Sequence, residues 1–201
     1  MRTKKYKGGI YVAFGDSITN NTGAARFNSY TQIVAKELGC TLVNKGVNGS
    51  IITKNIEDAT NYDFSNVSLV TLMTGTNGTR TIGTADDIQL DYNNNGNTFI
   101  GQIGKFVEIV RCSNPFVPIF LLTPPKSGGS LSTDEAAYQK CCEAFITAGK
   151  KLCVPVIDVG RKCHCVYNMK SNEYKAYTKD LTHPNEWTHE RMAECILNEI
   201  F

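Results

Sequence analysis

Ile10-Tyr11-Val12-Ala13-Phe14-Gly15-Asp16-Ser17 is the stretch on which the reading of this chain turns: an unbroken apolar run delivered straight into a turn triplet. A run this short, rich in β-branched and aromatic residues and stopped by glycine, predicts a strand buried on both faces. Similar runs stand at residues 41–43, 67–73, 117–122 and 154–157, each closing near Gly, Asn, Pro or Asp. Helical patterns lie between most of them. Residues 29–38 carry Tyr30, Ile33, Val34, Ala35 and Leu38 on one face, with Gly39 as the stop, and residues 98–112 repeat the pattern through Phe99, Ile103, Phe106, Val107 and Val110. Thr133-Asp134 opens a third helix towards Leu152, and Pro184-Asn185 opens a fourth that runs to the C-terminus. Continuous apolar strands alternating with amphipathic helices predict an α/β fold: a three-layer α/β/α sandwich around a doubly wound, mostly parallel five-stranded sheet.

The chain has 201 residues, enough for one domain that buries about 70% of its unfolded surface without metal or disulfide support. One domain over 1–201 is expected, with residues 1–8 a flexible N-terminus that holds the basic group Arg2, Lys4, Lys5 and Lys7. Lys and Arg total 21 against 19 Asp and Glu, so bulk charge gives no footprint for nucleic acid. No apolar run approaches the ~20 residues of a membrane span, and no basic segment leads into a secretory pattern. A soluble, cytoplasmic protein is therefore expected, with its eight cysteines as reduced thiols. Cys163-His164-Cys165 has ligand chemistry but lacks the spacing of a zinc site, and no metal or cofactor is expected.

Chemistry concentrates at the two ends of the chain. Ser17 follows the first strand; Asp180 and His183 stand three residues apart before the last helix. A serine hydroxyl needs an imidazole to accept its proton, and the imidazole needs a carboxylate to fix its tautomer. In a doubly wound sheet such groups converge at the carboxyl ends of the strands, where Gly49 and Asn77 also fall. Each motif alone has a plainer reading. Gly15-Asp16-Ser17 is a common capping turn, Asn77-Gly78 a tight turn, Gly46 and Gly49 backbone punctuation, and Asp180…His183 an N-cap beside a surface histidine. Their order after successive strands is what favours one shared site. Asp16 itself reads as a cap or turn former, and Asp86-Asp87 as loop decoration. His164 and His189, without a carboxylate at matching spacing, read as surface or structural. Tyr11, Phe14, Tyr62 and Phe64 read as packing residues.

These blocks resemble the SGNH subgroup of the GDSL esterases and lipases over nearly the whole chain. Phe14-Gly15-Asp16-Ser17-Ile18-Thr19 resembles the first block, Asn44-Lys45-Gly46-Val47-Asn48-Gly49-Ser50 the second, Thr74-Gly75-Thr76-Asn77 the third and Asp180-Leu181-Thr182-His183-Pro184-Asn185 the last. The resemblance implies a flavodoxin-like fold and a catalytic set of Ser17 as nucleophile, His183 as base and Asp180 as orienting acid. The oxyanion would be held by the backbone N–H groups of Ser17 and Gly49 and the side-chain amide of Asn77. One departure is Gly78, where the family usually has Asp. The implied activity is hydrolysis of short-chain acyl esters, with O-acetyl groups on carbohydrates among the substrates. Lysophospholipase or thioesterase activity and a non-catalytic glycan- or acyl-binding module are the alternatives. The expected partner is a small-molecule or carbohydrate ester, with no nucleic acid.

Overall fold

A computed structural model describes residues 5–21, 27–79, 81–89, 91, 95–126, 134–163, 174–180 and 182–200. Five strands form one sheet in the order β2-β1-β3-β4-β5: β1 (Ile10–Gly15), β2 (Thr41–Gly46), β3 (Val67–Met73), β4 (Ile119–Leu122) and β5 (Val156–Ile157). Every pairing is parallel, so all five carboxyl ends lie on one edge. β1 is an interior strand between β2 and β3, and the strand order reverses direction beside it, the place where open α/β sheets leave a crevice for ligands.

The period-2 alternation of β1 divides the core. Val12 and Phe14 point into one layer, with α3 (Ile52–Thr60), α4 (Phe99–Ser113) and α5 (Glu135–Leu152); Tyr11 and Ala13 point into the other, with α2 (Tyr30–Leu38), the short helices α6 (Val159–Lys162) and α7 (Tyr174–Tyr177), and α8 (Glu186–Ile200). Phe14 meets the edge of Phe106 at a centroid distance of 5.1 Å, and Phe99 meets Phe145 at 5.5 Å, geometries that suit the aromatic quadrupole. Tyr11 is fully buried, and its hydroxyl bonds Thr71 Oγ1 at 2.9 Å, so the phenol carries no orphaned polar atom into the core. The aromatics read as packing residues are just that: Phe64 is fully buried and Tyr62 packs on it edge-on. The three-layer, doubly wound reading of the sequence agrees with this architecture.

Element boundaries differ where the local backbone chemistry decides them. β4 starts at Ile119 rather than 117, because Pro118 has no N–H for the ladder and contributes only its carbonyl, to Val70 N. Pro155 shortens β5 in the same way, accepting from Leu121 N but donating nothing. β2 instead continues through Asn44 and Lys45 to Gly46, paired along its length with β1. Ser29 caps α2 in a reciprocal box with Gln32, and Gly39 closes it at φ +69°, as the sequence predicts. Asp134 caps α5 by accepting from Ala136 N and Ala137 N, while Thr133 lies outside the described residues. Part of the expected free N-terminus is anchored: Tyr6 is buried against the α2 layer and Gly8 N bonds Gly39 O. Among the described residues no helix is long and apolar enough to cross a membrane.

Candidate active site

The site starts from the tight exit of β1. A Cβ on Gly15 would collide with Thr19 and with the Met73 carbonyl, so only glycine lets β1 pass between β3 and the following turn. Its carbonyl accepts from three groups that follow β2, two in the loop and one on α3: Val47 N at 3.1 Å, Ser50 Oγ at 3.2 Å and Asn55 Nδ2 at 3.0 Å. Asp16 then leaves the strand and caps a single helical turn, α1 (Ser17–Asn20), by accepting from Ile18 N at 3.0 Å. This is the capping role read from the sequence. It leaves Ser17 as the first residue of the turn, 6% exposed at the sheet edge.

The chain segment carrying His183 is built separately and brought to the same place. Tyr177 to Lys179 pairs antiparallel with His183 to Asn185, through Lys179 N on His183 O and Asn185 N on Tyr177 O, both at 3.0 Å. Asn185 Oδ1 accepts from Thr188 N at the start of α8, and Thr188 Oγ1 donates back to Tyr177 O. Within that clip Asp180 Oδ1 accepts the backbone N–H groups of Thr182 at 3.1 Å and His183 at 2.7 Å, closing a tight turn. Asp180 Oδ2 lies 2.7 Å from His183 Nδ1, and His183 Nε2 lies 2.9 Å from Ser17 Oγ. Three groups separated by up to 166 positions in the chain thus form one hydrogen-bonded series. Desolvation pushes the Asp180 carboxyl upward, but the backbone and ring hydrogen bonds of His183 and the Thr182 amide outweigh it and hold the group below the usual carboxylate range. Leu181 lies outside the described residues.

Gly49 and Asn77 reach this edge through their own turns. Gly49 sits at φ +70°, with open space where a side chain would stand. Asn77 Nδ2 donates to Ser50 O at 3.0 Å, which ties the turn after β3 to the loop after β2 and fixes the amide's orientation. An amide carries two N–H donors, and this bond uses one of them. Gly78 closes the turn with its N–H on Gly75 O and takes φ +120°, backbone that L side chains rarely adopt. Asn77 is therefore oriented without the acid that the family resemblance implies at position 78, by a backbone path that favours glycine there.

Two residues that the sequence left in minor roles are central to the site's surroundings. His189 is buried and neutral: its Nδ1 accepts from Tyr30 N at 3.2 Å, its ring stacks on Tyr30, and burial, with the charges of Lys179 and His183, pushes it down to about 3. It docks α8 on α2 and is the structural histidine expected. Asp16 is buried beside Ser17, and burial raises its carboxyl to about 6. Ser50, the last residue of the second block, and Asn55 pin the Gly15 carbonyl; Asn55 carries no motif signal, and a polar residue on the apolar side of a short amphipathic helix is the one hint it offers. Among the described residues no cluster of His, Cys, Asp or Glu is suited to hold a metal ion. His164 and Cys165 of the Cys163-His164-Cys165 cluster lie outside them.

Comparison with known proteins bears on the family and the fold. The family model of the GDSL-like lipases and acylhydrolases matches residues 13–191. No curated protein matches the chain in sequence. Among solved structures, a possible lipase from Chitinophaga pinensis superposes with a TM-score of 0.75 at 20% identity, over 94% of this chain and 96% of that one. A catalytic mutant of an acetylxylan esterase from Geobacillus stearothermophilus gives 0.67 at 19% identity, over 96% and 94%. A member of the lipolytic G-D-S-L family from Veillonella parvula gives 0.64 at 18%, over 95% and 97%. At these identities the superpositions establish the fold, and the sequence model supplies the membership: this chain belongs to the GDSL-like lipase/acylhydrolase family.

Proposed function

We propose that this hydrolase is a serine esterase that cleaves short-chain acyl esters, O-acetyl groups on carbohydrates among them, through an acyl-enzyme on Ser17. The observation that carries the proposal is the hydrogen-bonded series Asp180–His183–Ser17, with both links inside hydrogen-bond reach. In acylation His183 Nε2 takes the Ser17 proton as Oγ bonds the ester carbonyl carbon. The oxyanion that forms is received by the N–H groups of Ser17 and Gly49 and by the second N–H of Asn77. The carbon–oxygen bond to the alcohol then breaks, and the alcohol leaves with the proton held by His183. In deacylation water gives a proton to the same nitrogen and its oxygen attacks the acyl carbon. The bond to Ser17 Oγ breaks, the proton returns to the serine, and a carboxylic acid is released. Asp180 keeps the Nδ1 proton facing itself and stabilises the imidazolium in both halves.

Acetyl as the acyl group is favoured by the fold shared with an acetylxylan esterase. Lysophospholipase or thioesterase activity uses the same machinery and differs in the acyl chain it admits. A fluorophosphonate probe tests the proposal, because it labels only an activated hydroxyl: stoichiometric labelling at Ser17 is expected, and an unlabelled protein would indicate a binding module instead. A panel of p-nitrophenyl esters from acetyl to decanoyl, run beside acetylated xylooligosaccharides, is expected to peak at the short end. Asn77→Ala is expected to cut kcat by about 10²- to 10³-fold, the usual loss for one oxyanion donor. Near-wild-type turnover would make Asn77 a turn residue only.

A further inference from the structure

The carboxyl of Asp16 is the one charged group of the first block that the hydrolytic scheme leaves unused. It is 1% exposed and adjacent in sequence to Ser17. One oxygen, Oδ1, caps α1; the other, Oδ2, is buried without a hydrogen-bond partner, and so is Thr76 Oγ1, although the hydroxyl and N–H of Thr76 face the carboxyl. A buried, half-satisfied carboxylate is costly, and folds retain such groups mainly where they serve a site. Its titratable surroundings narrow what it serves. From α2 it is faced by the Tyr30 phenol and from α5 by the Cys141 thiol, and burial pushes both of these far above neutral range. Among the described residues, the remaining group in electrostatic reach is His183. Of the three, only the imidazole can carry positive charge, which it does on taking the Ser17 proton.

We infer that Asp16 is a positioning residue for the reaction: its buried carboxylate is a second counter-charge, behind Ser17, for the imidazolium that forms on His183. Asp180 supplies the first, but its side chain is 50% exposed and so partly screened by solvent. Asp16 holds its charge in a low-dielectric setting, where the same separation is worth more. Burial, opposed by the Ile18 and Thr76 contacts and by His183, leaves the carboxyl titrating at about 6. The counter-charge is therefore present at neutral pH and lost in mild acid. The sign for stability runs the other way. A carboxyl raised above its unfolded value of about 3.9 favours folding below that value, and this contribution is lost as pH rises through 6. The ionised side chain thus costs stability at the pH where it helps turnover, a trade found at functional sites.

This inference rests on the serine-esterase reading, and the experiment separates the two. Asp16→Asn keeps the cap acceptor and the volume while removing the charge. At pH 8 it is expected to lower kcat/KM on p-nitrophenyl acetate by about tenfold, what one pKa unit of lost interaction represents, and to raise Tm. A merely structural role would lower both together, and that result, or unchanged turnover, would overturn the inference. The acid limb provides a second reading: between pH 7 and 5, log kcat/KM is expected to fall more steeply in wild type than in Asp16→Asn, since Asp16 takes up a proton there and asparagine cannot. Superimposable acid limbs would overturn the role of Asp16 and leave the esterase reading intact. A Ser17→Ala enzyme as fast as wild type would overturn both.

Discussion

Ser17→Ala is expected to reduce kcat/KM for a short acyl ester by about 10⁴- to 10⁶-fold, the range seen when a nucleophilic serine is removed from a working triad. The size follows from what is lost and what remains. The substitution removes Oγ, the one atom that His183 Nε2 can activate at 2.9 Å. It leaves the backbone N–H of residue 17, Gly49 and the Asn77 amide, so substrate can still bind and some polarisation of the carbonyl persists. The fold should not notice. Ser17 heads a one-turn helix held by the Asp16 cap, and alanine retains the Cβ and the backbone conformation. Steady-state kinetics with p-nitrophenyl acetate, together with circular dichroism of the same sample, check the expectation. Residual activity above a few per cent, with labelling by a fluorophosphonate elsewhere, would move the nucleophile to another residue.

The parts of this molecule that were legible in the sequence are those fixed by local chemistry. β1 announces itself because a strand buried on both faces must be apolar at every position, and Ile10 to Phe14 is. The helix stops at Gly39 and the caps at Ser29 and Asp134 are written in residue types that have few other uses. α3 escaped notice for the complementary reason. It is nine residues long, its N-cap Ile51 offers no side-chain cap, and its fully buried face is only Ile52, Asn55 and Ala59, too few apolar positions to announce a helix. That asparagine is explained only by the Gly15 carbonyl, 40 positions away in the chain. The charge state of Asp16 was equally hidden, since the groups that face it, Thr76 after β3 and Cys141 on α5, come from distant parts of the chain. Sequence order told that Ser17, Gly49, Asn77 and His183 follow successive strands or precede α8. What no local pattern held was the reversal of strand order at β1, which makes those ends neighbours.

Asp180→Asn is expected to lower kcat/KM at pH 8 by about 10⁴-fold, and to do more harm than the larger deletion Asp180→Ala. Asparagine is nearly isosteric, and its side-chain oxygen can still accept from Thr182 N and His183 N, so the turn that presents the imidazole is kept. The second terminal atom then becomes an amide nitrogen, placed where Oδ2 now lies 2.7 Å from His183 Nδ1. A donor there requires Nδ1 to accept, which moves the ring proton to Nε2, facing Ser17 Oγ. In that tautomer the imidazole has no lone pair for the serine proton, and the enzyme is held in a form that cannot begin acylation. Alanine imposes no tautomer. The Asp180 side chain is 50% exposed, so water can take its place beside Nδ1 and leave Nε2 free to act as base part of the time. The order wild type, then alanine, then asparagine is thus the signature of an orienting carboxylate, whereas a carboxylate that only shaped the turn would make alanine the worse variant. Measuring both at pH 8, with circular dichroism to confirm folding, decides between them: an asparagine enzyme within about tenfold of wild type would remove Asp180 from the mechanism.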